Sequence, residues 1–130
     1  MRNRTLLLLA VTVVTGLAFT ASSATANDGT HSSHASATTT AAHAHHHLGD
    51  HERAADSYQR ALDLYRHSGD RHGEAEALIH LGETHHAAGD LDATLITWQH
   101  ALTILDGMDH PDAESVRTRL EDLAAAARAR

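Results

Sequence analysis

The chain repeats itself at an interval of forty residues. With residues 41–70 laid over 81–110, His45 and His46 fall on His85 and His86, Gly49-Asp50 on Gly89-Asp90, Gln59 on Gln99, and Ala61-Leu62 on Ala101-Leu102. Tyr58 falls on Trp98, one large aromatic on another. A period of this length suits a unit of two helices, stacked so that neighbouring units bury each other's apolar faces.

Apolar residues recur at helical spacing in four segments. Ala54, Ala55, Tyr58, Ala61, Leu62 and Tyr65 follow Asp50 and run up to the stop signal "HSGD". Ala75, Leu78, Ile79, Gly82 and His85 mark a second helix between Asp70 and Ala88. On a third, opened by Asp90 as N-cap and closed at Gly107, the residues expected inward are Leu91, Leu95, Trp98, Ala101, Leu102 and Leu105. Pro111 suits the first position of a fourth helix, whose apolar stripe, Val116, Leu120, Leu123 and Ala127, is narrower. No strand alternation competes. The expected fold is all-α: a short helix-turn-helix repeat array of about one and a half to two repeats plus a C-terminal capping helix.

Ahead of Asp50 the composition changes twice. Residues 1–26 read as a signal peptide: Arg2 and Arg4, the apolar run "TLLLLAVTVVTGLAF", and Ala24-Thr25-Ala26 as a cleavage signal after Ala26. A secreted or extracytoplasmic product beginning at Asn27 is expected, with membrane-anchored and cytoplasmic forms as the alternatives. Residues 27–49 are almost wholly Ala, Thr, Ser and His. Lacking any large apolar anchor before Leu48, they are expected to be a flexible segment with a degraded first helix. Residues 50–130 are the expected helical domain.

Charge and chemistry narrow the function. There is no cysteine, so packing alone must hold an exported form together. Without Arg2 and Arg4, eight arginines face seventeen carboxylates, a formal charge of −9. That balance argues against direct nucleic-acid binding, which needs clustered positive charge. The nearest zincin-like string is "HLGDHE"; HExxH, GxSxG and GxxxxGK[ST] are all missing, and lysine is absent altogether. Asp50, Asp70 and Asp90 open helices, where the dipole favours them, and Glu74, Glu76 and Glu83 are expected to be solvated. The chain is therefore expected not to be an enzyme.

Histidine is the one metal-capable residue in excess. His43, His45, His46, His47 and His51 fall within nine residues, and His43/His47 and His47/His51 are at i, i+4 if one helix runs through them. They are candidate ligands for Zn²⁺ or Cu²⁺. Biased composition without acidic partners is the plainer explanation, and no cofactor is otherwise expected.

The stretch "ALIHLGETHHAAGDLDATLITWQHAL" resembles the tetratricopeptide repeat family. Leu81-Gly82 falls at that family's Leu-Gly pair, Gly89-Asp90 at its turn, and Trp98 and Ala101 at the aromatic and small positions of the second helix. Ala54, Tyr58 and Ala61 fall at the matching positions of the earlier unit. Thr94 stands where a small Ala is usual. The longer stretch from Gly69 to Leu120 is similar to the C-terminal repeat region of actinobacterial NB-ARC regulators, including the antibiotic regulatory protein class, although their nucleotide-binding motif is missing. The resemblance implies a protein–protein interaction module whose partner lies along the surface formed by each unit's first helix. Carried over by position, the groove residues are Glu76, Ile79, Glu83 and His86, suited to a basic or amide-rich peptide. With so few units, an exposed end is expected either to be covered by a second copy in a homodimer or to leave a marginally stable monomer. A truncated fragment of a cytoplasmic regulator and a His-rich exported metal-binding protein are the alternatives.

Overall fold

In the computed structural model, which describes residues 28–130, five helices follow one another: α1 (Asp28–His47), α2 (His51–Ser68), α3 (Arg71–Ala87), α4 (Leu91–Gly107) and α5 (Asp112–Arg128). No strand occurs among the described residues. The leader and its cleavage point lie outside them. Each helix packs on the next, and α1 also reaches α3, so α1, α3 and α5 share one side of the stack while α2 and α4 form the other.

The turns between helices repeat one design. Gly49, Gly69 and Gly89 have φ of 77°, 72° and 82°, a left-handed conformation that glycine adopts without a Cβ penalty. After each, an aspartate N–H returns to a carbonyl of the helix just ended: Asp50 to His45, Asp70 to Tyr65 and Asp90 to His85, all at 2.9 Å. The same aspartates accept from the backbone N–H of Arg53, Gly73 and Ala93 at 3.3, 2.9 and 3.0 Å, which caps the next helix. The fourth turn keeps this geometry with other residues. Asp109 takes the left-handed position at φ 51°, His110 N–H returns to the Leu105 carbonyl at 3.0 Å, and His110 Nδ1 accepts from Asp112 N–H at 3.3 Å. Pro111 immediately precedes α5 with helical φ and ψ.

Residues 28–47 are helical, where a flexible segment with a degraded first helix was expected. The reason lies in side-chain size. Ala35, Thr39 and Ala42 fall on one helical face and are buried, and small residues there let α1 approach α2 closely. Bulk comes from the partner helix: Tyr58, Leu62 and Tyr65 of α2 are all buried. The Thr39 hydroxyl donates to the Ala35 carbonyl at 2.9 Å and lies 3.3 Å from the Tyr65 hydroxyl. Thr38 and Thr40 donate likewise to the carbonyls of His34 and Ser36, so three threonines in a row satisfy themselves without leaving the helix.

The second unit is built around Trp98. Its indole N–H donates to the Ile79 carbonyl at 3.2 Å, and the ring lies so close to Gly82 that an added Cβ would meet it at 2.3 Å. Ala101, Ile104, Leu105, Thr94 and Thr97 complete the buried face of α4. That face is rotated from the expected one: Leu95 is 37% exposed, because the two threonines turn inward after bonding the carbonyls of Asp90 and Ala93. In the first unit, Ala42 takes the Gly82 position, and Tyr58 meets His43 edge-on at 5.6 Å.

Glu74, expected to be solvated, is 3% exposed. Its carboxylate accepts from Arg66 Nε of α2 at 2.8 Å and from Arg71 at 2.9 Å. A buried carboxylate survives because both oxygens are met by guanidinium N–H groups. The pair with Arg66 ties α2 to α3.

Candidate partner-binding cleft

The four groove residues carried over from the repeat pattern sit on α3 and line a cleft whose opposite wall is α5. Glu76, Ile79 and Glu83, with His80, face Asp112, Ser115, Val116 and Arg119 around a recess of about 270 Å³. His86 lines an adjoining recess of about 340 Å³ with Trp98, Arg119, Asp122, Leu123 and Ala126. The α3 spacing is the cause: residues 76, 79, 83 and 86 fall on one helical face. The α5 wall was not foreseen as part of a site, although Asp112, Ser115, Arg119, Asp122 and Ala126 carry the same spacing in sequence.

Arg119 stands between the two recesses. Its guanidinium donates to Glu83 Oε1 and lies over the Trp98 ring, 5.8 Å from the centroid. His86 stacks on the same indole at 5.8 Å. Glu83 Oε2 accepts from His80 Nδ1 at 2.9 Å. That hydrogen bond, and after it the Arg119 guanidinium, hold the Glu83 carboxyl at about 2 against burial, which acts the other way. Glu83 is thus a fixed anion over the physiological range, with no proton to donate as a general acid.

Behind Glu83 lies a cluster of aromatic rings. The His80 ring stacks on Tyr58 at 6.0 Å and meets His43 of α1 edge-on at 4.3 Å. Burial, then the charges of Glu83 and Glu76, push the Tyr58 phenol up to about 12. Burial, then His80, pushes the His43 imidazole below its usual range. His46 is lowered first by burial and then by His51. Thr84 spends its only hydroxyl proton on the His80 carbonyl at 2.9 Å, so its oxygen accepts from His46 Nδ1 at 3.0 Å.

The five candidate metal ligands are not brought to one point. α1 ends at His47 and Gly49 turns the chain, so His51 does not continue the His43/His47 face. His43 faces Tyr58 and His80, and His46 contacts Thr84, His47 and His51. His45 lines a separate hollow with Arg53, Asp56, Ser57 and Arg60. Among the described residues, no three His, Cys, Asp or Glu side chains converge as a metal would require.

Leu81, Gly82, Trp98, Ala101, Ala54, Tyr58 and Ala61 are buried, while Gly89 serves the turn. At the C-terminal end, Glu114, Thr118, Glu121 and Ala125 of α5 are exposed, the small or hydrophilic surface that a terminal cap needs.

Helix pairs of similar length, joined by one repeated turn and presenting a cleft on the side of their first helices, define a helical-repeat scaffold. The tetratricopeptide repeat family model matches residues 33–107, more than half of the 130-residue chain. The chain belongs to that family, whose domains generally mediate protein–protein contacts. The match takes in most of α1, in keeping with its place as the first helix of a repeat. No curated protein matches the chain.

Proposed function

We propose that this protein is a non-catalytic interaction module that receives a segment of another polypeptide in the cleft between α3 and α5. The observation that carries this reading is the paired recesses on either side of Arg119, lined by Glu76, Ile79, Glu83 and His86. An elongated cleft with apolar floor and polar rim suits a chain better than a compact metabolite. Ser115 and Glu76 are exposed at its edge, so both accept substitution without disturbing the core. Ser115→Arg and Glu76→Arg should each abolish recovery of the partner by the full-length protein while leaving the melting curve in place. Thr118→Arg, on the outer face of α5, should not. Equal recovery with all three variants places the binding surface elsewhere.

The composition of residues 1–26 supports an exported product, which the intact mass of the native protein checks: export requires a species starting at Asn27. The likeness over residues 69–120 supports descent from the repeat region of an NB-ARC-type regulator.

A further inference from the structure

The cleft reading leaves the partner's chemistry open, and the two recesses differ in a way that specifies it. The one beside Trp98 is walled by the indole, Leu123 and Ala126. The other has an apolar floor of Ile79 and Val116 under the carboxylates of Glu76 and Asp112. Arg119, shared by both, is already engaged by Glu83 and lies over Trp98. Glu76 makes no ion pair among the described residues, and the nearest cationic group to Asp112 is His110, at 3.6 Å and charged only when protonated. Beside the Glu83–Arg119 ion pair, the recess therefore presents two carboxylates that no permanent cation pairs. The chain as a whole carries a formal charge of −7, so the far field has the same sign as the near one.

An aliphatic stem ending in a positive charge fits this arrangement: the stem covers Ile79 and Val116 while the head reaches the carboxylates. An anion would have to displace Glu83 from Arg119 and would face the remaining carboxylates. Along α3 the recesses are centred about 10 Å apart at 1.5 Å per residue, which an extended backbone spans in about three residues.

Resting on the cleft reading, we propose that the partner segment is basic: it sets an arginine or lysine side chain between Glu76 and Asp112, and an apolar side chain against Trp98 about two to four residues away. Charge complementarity selects the sign of the partner, and the Trp98 recess fixes its register.

Trp98 is the only tryptophan in the chain, so its emission reports occupancy directly. The full-length protein would be titrated with short synthetic peptides carrying Leu-x-x-Arg, and with the same peptides bearing citrulline or Glu in place of Arg. The expected result is saturable binding of the arginine peptide, weakened about tenfold or more by citrulline and further by Glu. Glu76→Gln with Asp112→Asn should reduce the arginine peptide to the citrulline level. If citrulline binds as tightly as arginine, the cationic assignment falls while the cleft reading stands. If no peptide moves the Trp98 emission up to about 1 mM, the basic-partner assignment falls. The Ser115→Arg and Thr118→Arg comparison then decides the cleft reading separately.

Discussion

Trp98 reaches from α4 across α3 at Gly82, donating its indole N–H to the Ile79 carbonyl at 3.2 Å with its ring where a Gly82 Cβ would stand. The helix thus gives up some helical propensity at one position to let an aromatic ring seat against its backbone. The relationship also sets the cleft, because the same ring meets Arg119 and His86. Gly82→Ala should destabilise the fold by about 2 kcal/mol, since the added methyl must displace a ring hemmed in by packing. A urea melt checks this, with Trp98 emission reporting the seat. A stability equal to or above that of the parent would mean that the ring is free to move aside.

Glu74 gives a test of order rather than size. Removing the carboxylate with Glu74→Ala leaves Arg66 and Arg71, whose side chains are 42% and 60% exposed and can be rehydrated. Removing both arginines leaves a carboxylate whose side chain is 4% exposed and unpaired, the costlier outcome for a buried charge. Arg66→Ala with Arg71→Ala should therefore lose more stability than Glu74→Ala, by about 1 kcal/mol or more. The reverse order in denaturant melts would show that Glu74 rehydrates easily.

The fourth turn carries a residue its geometry does not favour. Asp109 holds φ 51°, where the three earlier turns place glycine. Asp tolerates that region better than most residues but not freely. Asp109→Gly should raise stability by about 0.5 kcal/mol, the relief of strain being offset in part by a more flexible unfolded chain. Gly69→Ala, at φ 72° with open space around the site, should act in the opposite sense, lowering stability by about 1 kcal/mol. Paired thermal melts of the two variants read both effects.

Much of the architecture was legible because it rests on local chemistry. Gly49-Asp50 over Gly89-Asp90 and Tyr58 over Trp98 lie in a forty-residue period that any self-comparison shows, while the Leu81-Gly82 pair is legible through its likeness to the repeat family. α1 was misjudged because its face is written in Ala and Thr. Ala35, Thr39 and Ala42 have helical spacing, but their burial depends on the aromatics of α2, a tertiary circumstance that periodicity does not weigh. Glu74 was misread for the same reason: its arginine partners stand eight residues before it and three residues before it, and neither spacing announces a buried carboxylate. Of the cleft, only the α3 wall could be carried over from the repeat pattern. Arg119 becomes a site residue because α5 folds back beside α3, thirty-six residues from Glu83 in sequence.

Acid should weaken the stack in two separable stages. His43 is held neutral in the folded state, its imidazole below the ordinary value of 6.5 through burial and the nearby His80. A group whose folded value is depressed binds more protons when unfolded, so the stability it contributes is present above 6.5 and falls as pH drops through and below that value. Glu83 behaves alike at lower pH. Its carboxyl lies at about 2 against an ordinary 4.5, so its contribution is complete above pH 4.5 and is lost progressively toward pH 2. Because the Glu83 side chain is 32% exposed, solvent screening limits the size of the second stage. Urea midpoints recorded from pH 8 to pH 2 should fall across both windows. His43→Gln should flatten only the upper decline. Arg119→Gln should flatten part of the lower one, since His80 remains to hold Glu83. A His43→Gln variant with an unchanged upper decline would assign that stage to the other histidines; stability that rises on acidification would contradict both the burial of His43 and the pairing of Glu83 with His80 and Arg119.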